Sequence, residues 1–351
     1  CSRILNCILI NMKKSKLVIL LLCIILLGGL FTAYYTAVLT RPFPIEKKAM
    51  LYIDADDNID SVYHKVKVTG KITHFTTFKL LATLTGYPGK IHPGAYSLSP
   101  DYSCWTLIHH LKSGQQTPVN LILPSTRTVN ILMQKVARQI MADSATLAGM
   151  LADTSFCKKL GYTPQTLPAL FIPNTYQVYW TIEPEDFFAR MQKEHKRFWN
   201  EERQEKAKAL GLTPTEVVTL ASIVDEETAN NAEKPTIAGL YLNRLRIGMP
   251  LQADPTVKFA LNNPGLKRIL HKHLEVESPY NTYKHAGLPP GPIRTPSVAG
   301  IESVLNAQKH NYLYMCAKET LDGTHNFASN LSEHQKNAQK YQRELNRRNI
   351  K

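Results

Sequence analysis

The sequence predicts an α+β protein in three parts: an N-terminal transmembrane helix, a small α+β module, and a larger mixed α/β region. Three observations predict it. Leu17 to Leu39 is a 23-residue run without a charged side chain, and a hydrocarbon core requires roughly 20. Between about Ala49 and Pro118, short strand patterns alternate with short helix patterns. From Thr213 onward, a strongly signalled helix start opens a motif-dense stretch reaching about Leu331. The expected boundaries are 1–16 for a cytoplasmic tail, 17–39 for the span, 45–118 for the small module and 119–351 for the larger region. A chain of 351 residues has room for this layout, since domains run on the order of 100–150 residues.

The apolar run lies between Lys16 and Arg41. A cleaved signal peptide would have an apolar region of roughly 7–15 residues ending at an A-x-A-like site, and neither feature is present, which favours a retained anchor. Arg3, Lys13, Lys14 and Lys16 precede the run, against Arg41, Lys47 and Lys48 after it, so the short tail is expected inside and the bulk of the chain outside the cytoplasmic membrane. Tyr34 and Tyr35 suit the far interface. Met12, directly before Lys13-Lys14-Ser15-Lys16, reads as the natural start, which makes residues 1–11 a start-site artefact. Arg41-Pro42-Phe43-Pro44 reads as a stiff exit from the bilayer.

Beyond it the patterns predict a strand at Met50–Ile53 and helices at Ile59–Val66, Thr76–Thr85 and Cys104–Lys112. A hairpin-like turn is expected at Gly89–Pro100, where His92-Pro93-Gly94 breaks the chain. A strand at Val119–Leu123, helices through about Lys159, one charged amphipathic helix from Glu185 to Ala209 and a polar basic helix at Ser332–Asn349 complete the reading.

Lys and Arg total 42 against 28 Asp and Glu, and the resulting +14 suits nucleic acid, anionic lipid or an acidic polymer as neighbour. Nucleic acid is argued against by the lack of zinc-ligand spacing, of an aromatic-rich basic motif and of a helix-turn-helix pattern. Cys104, Cys157 and Cys316 are too scattered for a disulfide framework or a CxxC site and read as small buried hydrophobes.

The chemistry concentrates in Thr213–Thr228. Thr213 suits an N-cap, Pro214 the first helical position, and Glu216 completes a capping box. At about 100° per residue, Val217, Leu220, Ala221 and Val224 form one stripe. Glu226 falls opposite it, with Asp225 and Glu227 on its flanks. A carboxyl at the border of an apolar face is partly desolvated and holds its proton towards neutrality. Read alone, the Asp-Glu-Glu run is equally a solvated helix end.

The surrounding text decides. The segments LASIVDEET (Leu220–Thr228), YLNRLRIGMPLQADPTVKFAL (Tyr241–Leu261), SPYNTYKHAGLPPGPI (Ser278–Ile293) and HNFASNLSEH (His325–His334) occur in this order. The sequence therefore resembles the endolytic murein transglycosylase, or YceG-like, family from about residue 46 to about residue 345. The resemblance implies an α+β fold with a LysM-like subdomain at 45–118 and a catalytic domain after it. It also implies that Glu227, the glutamate directly before the threonine of the A-S-I-x-x-x-E-T pattern, is the catalytic acid. The implied reaction is lytic transglycosylation, in which the 6-hydroxyl of N-acetylmuramic acid displaces the neighbouring sugar. Attack within one sugar has a high effective molarity, so no group need position a water.

Asp225 and Glu226 stand where the family usually has an acid followed by a base, and Asn174 stands where an aspartate is common. For substrate contact the motifs offer Asn243, Arg244, Gln252, Asp254, Tyr280, Asn281, Thr282, Tyr283, Pro289, His325 and Asn330. Arg244 suits a substrate carboxylate or, equally, an internal salt bridge to Asp254 or Glu227. Tyr280–Tyr283 supplies the amide, hydroxyl and aromatic faces that sugars need, though it also reads as a turn with packed tyrosines. Asp254-Pro255 likewise fits a turn, and Leu288-Pro-Pro-Gly-Pro292 a rigid exposed loop. His325 and His334 have no third ligand at zinc spacing, so neither metal nor cofactor is expected. The expected partners are peptidoglycan glycan strands, the membrane through residues 17–39, and cell-wall synthases, with nascent strands as substrate. A hydrolytic muramidase and a non-catalytic wall-binding scaffold are the competing readings.

Overall fold

The computed structural model describes residues 2–35, 43–72, 75–263, 265–266 and 269–348. The chain forms two compact units, one of Cys1–Val119 with Val178–Thr181, the other of Asn120–Gln177 with Ile182–Lys351.

The first unit opens with helix α1 (Ser2–Tyr34). Its large apolar side chains from Leu17 to Phe31 are all exposed. Among the described residues no single helix is long and apolar enough to cross a membrane, and the apolar part of α1 runs Lys16–Thr32. Residues 36–42, which carry the end of the expected span and its Arg41-Pro42 exit, lie outside the described residues, as do the side chains of Arg3, Met12, Lys13, Lys14 and Tyr34.

The rest of this unit is strand, helix, helix, strand, helix: β1 (Ala49–Ile53), α2 (Ile59–Gly70), α3 (Phe75–Leu84), β2 (Gly94–Leu98) and α4 (Cys104–Ser113). Asn58 caps α2 by accepting from the amides of Asp60 and Ser61, and Ser103 caps α4 through Thr106. The expected hairpin at Gly89–Pro100 does not form. β2 pairs antiparallel with β1, from Ala49 opposite Leu98 to Ile53 opposite Gly94, across the two intervening helices. The reason lies in burial: Leu51 and Ile53 of β1 and Ala95, Tyr96 and Leu98 of β2 are buried, and only this pairing puts both strands against the helices.

In the second unit β3 (Val119–Leu123) forms a ladder with β4 (Asn174–Val178), with α5 (Val129–Ala137), α6 (Ser144–Ala152) and α7 (Thr154–Lys159) between them in sequence. The single helix expected over Glu185–Ala209 is two, α8 (Pro184–Phe198) and α9 (Glu201–Ala209). Trp199 is buried at the break and Asn200 caps α9 by accepting from the amide of Arg203. The buried ring and the local cap outweigh the continuous charge pattern.

At the centre lies α10 (Pro214–Glu227), packed against α11 (Lys234–Arg246), α12 (Asp254–Ala260) and α14 (Val298–Leu305). Both halves of its capping box form, Thr213 Oγ1 accepting from Glu216 N and Glu216 Oε2 accepting from Thr213 N. The expected apolar stripe is an underestimate. Every residue from Val217 to Val224 is buried, so α10 is enclosed on all sides. Thr213→Ala should lower stability by about 1 kcal/mol in denaturant unfolding, because the amide of Glu216 then loses its acceptor at the helix end.

The unit closes with α13 (His271–Leu274), the antiparallel pair β5 (Tyr314–Ala317) and β6 (His325–Ala328), and α15 (Leu331–Arg347). Asp254-Pro255 is the start of α12, where proline is tolerated at a first helical turn, and is not a free-standing turn.

Candidate active site

The end of α10 delivers three successive carboxylates to three environments. Asp225 forms a buried salt bridge with Lys234 Nζ at 2.8 Å and accepts from the Ser297 amide at the start of α14. The approach is close enough that a Cβ on Gly300 would stand 2.5 Å from Asp225 Oδ1, which explains a glycine in that helix. Glu226 is held by Arg294 Nη1 at 2.7 Å, with Arg127 Nε at 3.8 Å. Asp225 and Glu226, the latter an acid where the family usually has a base, are thus each neutralised by a cation. Glu227 receives no cation within salt-bridge distance among the described residues. It enters a cavity of about 240 Å³ that is also lined by Tyr241, Arg244, Gln252, Asp254, Tyr283 and His325.

Burial pushes the Glu227 carboxyl up to about 7, and the neighbouring Asp254 pushes the same way. The hydrogen bond from Tyr241 Oη to Glu227 Oε1, at 2.8 Å, and the charges of His325 and Lys258 pull it partly back. Burial holds the Tyr241 phenol well above its ordinary range, so it remains a donor. With Oε1 occupied as an acceptor, the carboxyl proton belongs on Oε2. Tyr241→Phe should raise the Glu227 pKa further, moving the alkaline limb of any acid-dependent activity up by about one pH unit. A pH–rate profile of the variant beside wild type checks this.

Arg244 stands one turn beyond Tyr241 on α11 and is buried. It makes neither of the salt bridges its sequence allowed. Its Nε donates to Leu313 O at 2.6 Å and its Nη1 to Leu251 O at 2.7 Å, while its Cζ lies 5.5 Å from the Tyr314 ring centroid. Among the described residues no carboxylate forms a salt bridge with it, so a buried cation on the cavity wall is met by carbonyl dipoles and the Tyr314 ring. Burial correspondingly lowers its pKa.

Asp254 Oδ1 accepts from Tyr283 Oη at 2.6 Å. Gln252 adopts a left-handed backbone, φ 50°, pinned by its amide donating to Thr282 O at 3.0 Å. On β6, His325 is clasped by Glu233, whose Oε1 accepts from the His325 amide at 2.8 Å and whose Oε2 lies 2.9 Å from Nδ1. That leaves the other ring nitrogen as the free polar edge.

The structure therefore brings Glu227, Arg244, Gln252, Asp254, Tyr283 and His325 together in one cavity. The remaining candidates do other work. Asn281 is fully buried and donates to Leu274 O and Val276 O. Thr282, also buried, accepts from the Ala253 amide and shares a hydrogen bond with Thr256. Both are struts behind the cavity wall. Asn243 donates to His310 O and Tyr312 O, and the Tyr280 ring packs 4.7 Å from Phe259. Pro289 is buried, within the loop expected to be exposed, and Asn330 caps α15 through the Glu333 amide. Asn174 is exposed at the start of β4. Among the described residues no cluster of three potential metal ligands occurs.

Tyr241 and Glu233 are the residues that motif reading missed. The signal for Tyr241 was its place between Leu240 and Leu242 in a wholly apolar turn, where a phenol requires an acceptor. Glu233, at the foot of α11, gave no such sign.

A protonatable carboxyl thus lines a polar cavity at the end of an enclosed helix, and the chain belongs to the YceG-like family, whose model matches residues 51–340. Among its relatives is an endolytic murein transglycosylase of Bacillus subtilis, 43% identical over 125 residues, which cover 36% of this chain and 34% of that protein. The endolytic murein transglycosylase of Streptococcus pneumoniae strain D39 is 28% identical over 348 residues, 88% of this chain and 62% of the relative. The chain thus spans less than two thirds of the length of these relatives. A crystallised yceG-like protein of Listeria monocytogenes superposes with a TM-score of 0.57 at 26% identity, covering 83% of this chain and 99% of that one.

Proposed function

We propose that this chain is a membrane-anchored endolytic lytic transglycosylase of peptidoglycan, with Glu227 as its acid. The observation that carries the reading is the Glu227 carboxyl, buried in a polar cavity and held near a pKa of about 7. Oε2 gives its proton to the glycosidic oxygen joining N-acetylmuramic acid to N-acetylglucosamine, and the C1–O bond breaks. The muramyl 6-hydroxyl then attacks C1, and the carboxylate takes its proton. The products are a new sugar hydroxyl on one strand and a 1,6-anhydro-muramyl end on the other. No water is consumed and Glu227 is regenerated.

Arg244 suits a carboxylate carried by the muramyl peptide, since its charge lacks an internal counter-ion. Tyr283, Gln252 and His325 offer the hydroxyl, amide and ring nitrogen that sugar hydroxyls and N-acetyl groups require. The strand–helix–helix–strand order of the first unit supports the LysM-like reading of residues 45–118. The uncharged run Leu17–Leu39 and the exposed apolar side chains of α1 support an anchor with residues 1–16 inside. An anchor places the site beside newly made strands, with cell-wall synthases as neighbours.

A hydrolytic muramidase is the second reading, favoured by one observation: Asp254 contributes a second carboxylate to the same cavity. Mass spectrometry of digested peptidoglycan separates the two. Anhydro ends, lighter by one water than reducing ends, are the expected product, and reducing ends alone would overturn transglycosylation in favour of hydrolysis.

A further inference from the structure

The first unit carries an apolar groove that its own core does not fill. Phe78 of α3 and Leu107 and Leu111 of α4 turn inward and are buried. Outside them lies a cavity of about 420 Å³, floored by Leu81 and Ile108, walled by Leu84 and Trp105, and edged by His109 and Lys112. Leu84 is 76% exposed, and Leu80 and Trp105 are more than half exposed. Large apolar side chains clustered at this exposure mark a surface that is covered in use.

The charge around the groove has one sign. Neither α3 nor α4 contains an Asp or a Glu. The cation on the groove's lining is Lys112, whose Nζ donates to Thr85 O at the groove's edge. Aliphatic floor, a half-exposed tryptophan and a cationic rim without acids form the composition of a protein face that dips into the headgroup region of an anionic bilayer. A sugar chain would need a run of polar partners, and the groove wall offers only Thr85, His109 and Lys112.

The length of chain before the unit makes the same choice. Three residues separate Leu39, the end of the span, from Phe43, and fully extended that stretch reaches at most about 14 Å. Phe43 is buried in the core of the unit, where Ile72 also packs, and α3 starts three residues after Ile72. From there α3 runs only about 15 Å to Leu84. If α1 is seated in the bilayer, as the anchor reading has it, this groove is confined near the membrane surface.

We infer that the groove between α3 and α4 docks onto an anionic lipid surface, with Trp105, Leu84 and Leu80 entering the interface. The test uses the full chain reconstituted into vesicles containing anionic lipid, with lipids brominated near the headgroup end of the acyl chain as quenchers. The difference in emission between wild type and Trp105→Phe isolates Trp105 from Trp180 and Trp199. The expected result is that Trp105 emission falls about two-fold, and that Leu84→Glu, at a site too exposed to disturb folding, restores it. Protein that floats with the vesicles while Trp105 emission stays unquenched overturns the docking inference and leaves the anchor standing. Protein that does not float removes the anchor and the inference together. A Trp105 spectral shift with soluble glycan fragments and none with lipid would assign the groove to sugar and overturn it as well. Glycan cleavage by Glu227 is read separately, on detergent-solubilised protein.

Discussion

Glu227→Gln should abolish glycan cleavage, lowering kcat by at least about 10³-fold, because the amide keeps the hydrogen bond geometry but has no proton to give to the leaving oxygen. Counting anhydro ends released by the purified variant beside wild type measures this. The same substitution should stabilise the fold at neutral and alkaline pH. The Glu227 pKa rises from 4.5 to about 7 on folding, so between those values the native state binds more protons than the unfolded state. Stability contributed by the neutral carboxyl is then full below about pH 4.5 and is lost as pH rises through 7. The accumulated loss is about 3 kcal/mol at higher pH. Glutamine, which never ionises, escapes it. Urea unfolding of both proteins at pH 5 and pH 8 should show little difference at the first and a clear gain for the variant at the second. A wild type as stable at pH 8 as the variant would mean that Glu227 is not buried as described.

The second large effect is structural. Lys234→Met should destabilise the second unit by about 3–5 kcal/mol, since it leaves Asp225 buried with its charge uncompensated except by Ser297. Pairing the change with Asp225→Asn should recover much of the loss, as both charges then disappear together. The pair matters to the site because it ties the end of α10, which carries Glu227, to the start of α11, the helix that carries Tyr241 two turns further on. Activity of the single variant should fall even at temperatures where it remains folded, and the double variant should regain part of it.

The sequence was most informative where local chemistry and long-range packing agree. Thr213, Pro214 and Glu216 announced the start of α10, and the cap, the first-turn proline and the capping box are all in place. The position of Glu227 at the other end followed from counting. What counting could not supply was the depth of burial. A helical wheel sees one helix, whereas α10 is enclosed by several neighbours, so from Val217 to Val224 every side of it is as dry as the stripe. Strand pairing failed for a related reason. The partner of β2 is β1, more than forty residues earlier, and no local turn signal reports a pairing of that reach. Polar residues in a motif gave the least reliable guide. Asn281 and Thr282 sit beside Tyr283 in the chain, yet the two are consumed by backbone partners behind the wall while the tyrosine faces Asp254. Side-chain type tells what a residue can bind, and only the fold tells whether its valences are already spent.

The clasp between Glu233 and His325 ties the foot of α11 to β6. One wall of the cavity, from Met315 to Ala317 and at His325, is supplied by strands that leave the ribosome almost a hundred residues after Glu227. A chain cut short before β5 would lack both this wall of the cavity and the Glu233–His325 clasp.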